Sequence, residues 1–142
     1  MPLLSPADQK KLREAFGEMT RPVKLLFFTQ TLDCDTCLQT RQVLDELPPL
    51  SEHVTIEEVN LVLEPEKAKR YGVERAPAVA ILADDADTRM RFVGTPAGYE
   101  FVSLVQAVLL AGGRESSLTD EQRQRVAAVD KPVTMQVFTT PT

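Results

Sequence analysis

The chain holds two cysteines and one histidine in 142 residues, and the cysteines stand two residues apart as Cys34-Asp35-Thr36-Cys37. Two thiols at that spacing can close a small disulfide across one turn of chain. The chemistry available to them is thiol–disulfide exchange, in which a thiolate attacks a disulfide sulfur through a mixed-disulfide intermediate. A helix start adds unpaired N–H groups and the positive end of the helix dipole, both of which favour a thiolate. On this reading Cys34 is the exposed nucleophile and Cys37, one turn further in, resolves the mixed disulfide. Asp33, Asp35 and Thr36 tune the pair. The two carboxylates oppose a Cys34 thiolate and offset the helix-start effect, so Cys34 is expected to be no strongly acidic thiol and its disulfide correspondingly hard to reduce. Asp35 has a plainer reading as an acidic residue in a first helical turn. Zinc requires about four N or S ligands, and Cys34, Cys37 and His53 do not supply them within one chain. His53 reads as a surface residue near a strand start.

The elements around the pair give it value. Ser5-Pro6 is a cap-and-start signal for a helix whose Leu4, Leu12, Ala15, Phe16 and Met19 fall near one face. Val23–Thr29 is almost continuously apolar, as a strand buried on both faces is. A loop, Gln30–Asp33, then leads to the cysteine pair, expected to open a helix carrying Val43, Leu44 and Leu47 and stopped by Pro48-Pro49. Val54–Val59 reads as a second strand, Pro65–Tyr71 as a short helix closed at Gly72, and Ala78–Leu82 as a third strand. Asp84–Asp87 reads as a polar turn, Met90–Val93 as a returning strand, and Tyr99–Ala111 as an amphipathic helix closed by Gly112-Gly113. A parallel βαβ half joined to an antiparallel ββα half on one sheet resembles the thioredoxin plan. The expected fold is therefore α/β and thioredoxin-like: a mixed four-stranded sheet flanked by helices, with an extra N-terminal helix and a C-terminal helix–strand extension. Within that plan Pro77 precedes the third strand. A cis Ala76–Pro77 bond is expected there, leaving the Ala76 backbone free to pair with an extended substrate peptide beside the dithiol, so Ala76 and Pro77 are the substrate-binding candidates.

The chain continues past this unit and repeats its beginning. Thr20-Arg21-Pro22-Val23 is echoed by Asp130-Lys131-Pro132-Val133, and Phe28-Thr29 by Phe138-Thr139, each at an offset of about 110 positions. Leu118-Thr119-Asp120 starts a helix and Val133–Thr139 reads as a strand. We divide the chain into a thioredoxin-like unit over 1–115 and the start of a second, truncated unit over 116–142.

Composition narrows the partners. A net charge of −5 disfavours nucleic acid, which needs a basic face. No apolar run approaches a membrane span, and the N-terminus lacks the basic and apolar regions of a secretory signal, so the chain reads as cytoplasmic. There is no phosphate loop and no dinucleotide fingerprint, so no flavin, nicotinamide or other cofactor of its own is expected, and no metal. Glu57-Glu58 and the acidic turn read as solvated edge and turn residues.

With these pieces in place the chain resembles the N-terminal unit of the glutaredoxin-like protein disulfide oxidoreductases, which carry two thioredoxin folds in tandem. The specific stretches are Arg91–Phe101 (RFVGTPAGYEF) and Gln136–Thr142 (QVFTTPT). The pattern is similar also to the N-terminal domain of the flavoprotein subunit of alkyl hydroperoxide reductase, whose first unit usually lacks the cysteines. The resemblance implies dithiol–disulfide exchange with protein disulfide substrates, and electron delivery from a thioredoxin-reductase-like flavoprotein toward a peroxiredoxin. It also marks a departure: Phe28 occupies the strand position where thioredoxins keep a buried carboxylate. Two alternatives to an enzyme stay open, a scaffold or docking unit with a nearly idle dithiol, and a thiol redox sensor.

Overall fold

A computed structural model describes residues 2–140. In chain order the elements are α1 (Pro6–Phe16), β1 (Val23–Thr29), α2 (Cys37–Asp45), a 3₁₀ turn (Pro48–Leu50), β2 (Val54–Asn60), α3 (Pro65–Arg70), β3 (Ala78–Ala83), β4 (Ala86–Val93), α4 (Tyr99–Ala111) and α5 (Asp120–Ala127). The four strands form one sheet in the order β2-β1-β3-β4. β1 runs parallel to β2 and antiparallel to β3, and β3 runs antiparallel to β4. This is the mixed thioredoxin-like sheet expected from the sequence. Among the described residues no helix is long and apolar enough to cross a membrane.

β1 is apolar on both sides because helices cover both. Val23, Leu25 and Phe27 join the larger core with Phe16 of α1, Leu44 of α2, and Leu104 and Val108 of α4. Leu26 and Phe28 point the other way, into a smaller core with Val59, Ala68 of α3 and Val73. The period-two alternation of the strand thus feeds two cores from one run of sequence. α1 starts as read: Ser5 accepts a hydrogen bond from the Asp8 N–H at 3.2 Å, with Pro6 as first helical residue.

Several boundaries move. Ala86 and Asp87 belong to β4 and not to the turn, which is the two residues Asp84 (φ 50°) and Asp85 (φ 64°). Two successive residues at positive φ make the tight turn whose twist matches a hairpin, so the strand begins sooner than its polar residues suggest. β4 also carries a register shift opposite Ala80–Leu82, next to Arg89 at φ 67°. α2 stops at Asp45, and Leu47 lies beyond it, buried ahead of the 3₁₀ turn. His53 is exposed and stands just before β2.

The C-terminal segment differs most. α5 forms where its start signal is, with a capping box between Thr119 and Gln122, but it buries no residue. The expected strand Val133–Thr139 is absent: these residues have no regular structure and are exposed. A strand exists only with a hydrogen-bonded neighbour, and none of the four strands pairs with this one. Pro141 and Thr142, at the end of the second resemblance stretch, lie outside the described residues.

Candidate active site

The sheet places its chemistry at one end. β1 and β2 finish there at Thr29 and Asn60, β3 begins there at Ala78, and β4 finishes there at Val93. The loop after β1 is shaped by Gln30, whose side-chain amide donates to the carbonyls of Leu32 (2.8 Å) and Asp33 (3.2 Å). Asp33 takes a positive φ of 56°, a conformation that short polar side chains tolerate. The chain then turns through Cys34-Asp35 into Thr36, the N-cap of α2, and Cys37 is the first helical residue.

Cys34 and Cys37 form a disulfide with their Cα atoms 5.5 Å apart, within the ordinary span of such a bridge. The two cysteines are placed unequally. Cys37 is 6% exposed, whereas Cys34 is half-buried. Asp33, Asp35 and Thr36 are exposed around them. Asp35 lies ahead of α2, whose first turn contains no acidic residue, so its reading as a first-turn helix residue fails.

Across the loop, the Ala76–Pro77 peptide bond is cis, with Pro77 buried and Ala76 half-buried. The Gly94 N–H donates to the Pro77 carbonyl at 2.8 Å, tying the segment after β4 to the segment before β3. Both sequence-derived stretches, the dithiol and the proline junction, therefore stand at the same end of the sheet.

Other residues of this end were not singled out from sequence. Leu32 and Leu38 are 77% and 71% exposed on either side of the disulfide, and Val62, Leu63 and Val93 are exposed at the neighbouring strand ends. The signal was present, as apolar residues beside a polar motif. Thr40 is the buried polar side chain among the described residues, at 0% exposure. It falls in the apolar stripe of α2 with Cys37, Val43 and Leu44, and its hydroxyl meets the Thr36 carbonyl (2.9 Å) and the Thr95 hydroxyl (2.8 Å). A threonine at helical spacing between buried residues is a signal that polarity alone conceals.

A half-buried cysteine bridged to a buried one at a helix start, on this sheet, defines a thioredoxin-fold redox domain. No family model matches the chain. Over 129 residues it is 29% identical to the alkyl hydroperoxide reductase AhpF of Escherichia coli (strain K12), a match that covers 90% of this chain and 22% of that protein. It matches the NTD_N/C domain of alkylhydroperoxide reductase AhpF from Enterococcus faecalis (V583) with a TM-score of 0.82 and 29% identity, over 90% of this chain and 62% of that one. A protein disulfide oxidoreductase from Aeropyrum pernix K1 matches with a TM-score of 0.75 and 26% identity, over 87% of this chain and 54% of that one. The chain thus spans about a fifth of the length of the curated reductases it matches. Its homologues and structural neighbours are the N-terminal domain of AhpF and a thioredoxin-fold protein disulfide oxidoreductase. Both resemblances drawn from the sequence hold.

Proposed function

We propose that this domain exchanges disulfides with protein substrates through Cys34 and Cys37. The observation that carries the reading is the inequality of the bridged cysteines, one half-buried and one buried. In the reducing direction the Cys34 thiolate attacks a substrate disulfide, and one substrate sulfur leaves as a thiolate and takes a proton. Cys37, deprotonated, then attacks Cys34 Sγ in the mixed disulfide. The Cys34–Cys37 bond forms, the substrate departs as a dithiol, and two electrons have passed to it. The opposite direction runs the same steps backward. Exposed Leu32, Leu38, Val62, Leu63 and Val93 supply apolar surface for a polypeptide partner, and the Ala76 backbone is the edge on which an extended segment pairs. Asp33, Asp35 and Thr36 tune the pair.

The likeness to AhpF supports a place in a longer relay, with electrons arriving from a thioredoxin-reductase-like flavoprotein and passing toward a peroxiredoxin. Residues 116–142 are, on this proposal, the opening of a second thioredoxin-like unit.

Insulin reduction by wild type and Cys34→Ser tests the exchange. Activity that depends on Cys34, with a single two-electron transition between roughly −180 and −290 mV, is the expected result. Equal rates for both proteins, or a pair locked below roughly −300 mV, would leave the scaffold reading.

A further inference from the structure

We propose that Thr40 and Thr95 are positioning residues of the exchange, a pair of hydroxyls that polarises the peptide unit between Thr36 and Cys37 and holds the dithiol helix to the loop beside Pro77. The inference rests on the exchange reading above. It begins with a proton count. A hydroxyl has one proton to give and two lone pairs. The Thr36 carbonyl can only accept, so the Thr40 hydroxyl spends its proton there, at 2.9 Å. The 2.8 Å contact with Thr95 Oγ1 is then a bond that Thr95 donates to Thr40. The chain of donors runs in one direction, Thr95 to Thr40 to the Thr36 carbonyl.

That carbonyl also accepts the Thr40 backbone N–H at 2.9 Å. Two donors on one amide oxygen draw electron density toward it and strengthen the N–H at the other end of the same peptide unit. The N–H belongs to Cys37, the first residue of α2, where no intrahelical acceptor exists. Its partner is the Cys34 carbonyl at 3.5 Å, a long contact that leaves most of its donor strength available. A strengthened N–H beside the dithiol stabilises negative charge on sulfur, and that charge exists only after reduction. The hydroxyl pair therefore favours the dithiol over the disulfide.

The same pair has a mechanical consequence. Thr95 follows Gly94, whose N–H is bonded to the Pro77 carbonyl at 2.8 Å. Thr40 thus joins the cysteine side of the site to the proline side through two short links.

The test is Thr40→Val, Thr95→Val and Thr40→Ser in the full chain, each equilibrated with reduced and oxidised dithiothreitol, with Cys34 ionisation followed by the pH dependence of alkylation. Thr40→Val should move the equilibrium about tenfold toward the disulfide, about 30 mV more negative, and raise the Cys34 pKa. Thr95→Val should move both the same way by less, and Thr40→Ser should match wild type. Unshifted Thr40→Val or Thr95→Val, or a Thr40→Ser as displaced as the valine, overturns the proposal; should Thr40→Val not fold, Thr95→Val decides it. Insulin reduction is read separately. A wild type inert toward insulin with shifted variants sinks only the exchange reading, and an active wild type with unshifted variants sinks only this one.

Discussion

Gly94 and Pro77 are joined by one backbone hydrogen bond of 2.8 Å, and through it the end of β4 holds the segment that enters β3. Gly94 sits at φ 97° with open space where a Cβ would stand. Its glycine is therefore required by conformation and not by crowding. Gly94→Ala should destabilise the domain by about 1–2 kcal/mol, read as a lower urea midpoint with an unchanged slope. An alanine variant as stable as wild type would show that the loop relaxes out of this conformation freely.

Cys37 is buried where Cys34 is not, so the two cysteines should fail differently when removed. Cys37→Ser leaves an attacking thiol with nothing to resolve it. It should accumulate a mixed disulfide with a substrate protein, seen as a band shift on non-reducing gels that dithiothreitol reverses. Cys34→Ser should trap nothing. The reverse pattern would exchange the roles of the two sulfurs.

Phe28 is fully buried and packs its ring against Tyr71, centroids 6.3 Å apart. Phe28→Ala should cost about 3–5 kcal/mol through the cavity it leaves in the smaller core. The measurement is equilibrium denaturation of the oxidised protein. A loss below about 1 kcal/mol would mean that this core collapses around the vacancy.

Asp87 is held at a pKa of about 2, first by the Arg91 guanidinium that donates to both its oxygens at 2.8 Å, with the Arg89 backbone N–H adding a further bond. A carboxylate whose folded pKa lies below its unfolded one contributes stability above the unfolded value, near 4, and loses it as pH falls toward 2. The pair is partly exposed, so solvent screening holds its contribution to about 1 kcal/mol or less. Wild type should lose this advantage over Asp87→Asn between about pH 4 and pH 2. A constant difference in urea midpoint across that window would place the stabilisation elsewhere.

α5 buries no residue, and Val133, Met135, Val137 and Phe138 are exposed. Removing residues 116–142 should leave the thermal midpoint of the domain within a degree or two, since surface segments away from the core contribute little. A large drop would show that the segment packs on the domain in solution.

The sequence made the sheet legible wherever burial alone decides. Val23–Thr29 could be read as a central strand because its apolar residues, Val23 and Leu25–Phe28, fall on both faces and are interrupted only by Lys24, and the bounds of α4 follow from its glycines. Legibility failed where a residue's type and its environment disagree. Ala86 and Asp87 look like turn and are strand, because Asp84 and Asp85 complete the turn by themselves. Thr40 looks like surface and is core, because its hydroxyl is satisfied from within by Thr36 and Thr95. Val133–Thr139 has the alternation of a strand, but pairing depends on a neighbour that a local pattern does not contain. The cysteines and the proline junction were plain. The side chains that join them were not, since partners 55 residues apart such as Thr40 and Thr95 share no local signal.

β1 is laddered on both sides, to β2 along Val23–Thr29 and to β3 along Val23–Phe28. Amides in such a strand open only when the whole domain does, so they should exchange with deuterium last. The Cys34 loop hangs directly from the end of that strand, whereas β4, with its irregular register near Arg89, forms an outer edge. Fraying of the outer edge can therefore come and go many times within one encounter while the segment ahead of Cys34 stays in register. The sulfur is mounted on the part of the molecule that keeps its place longest.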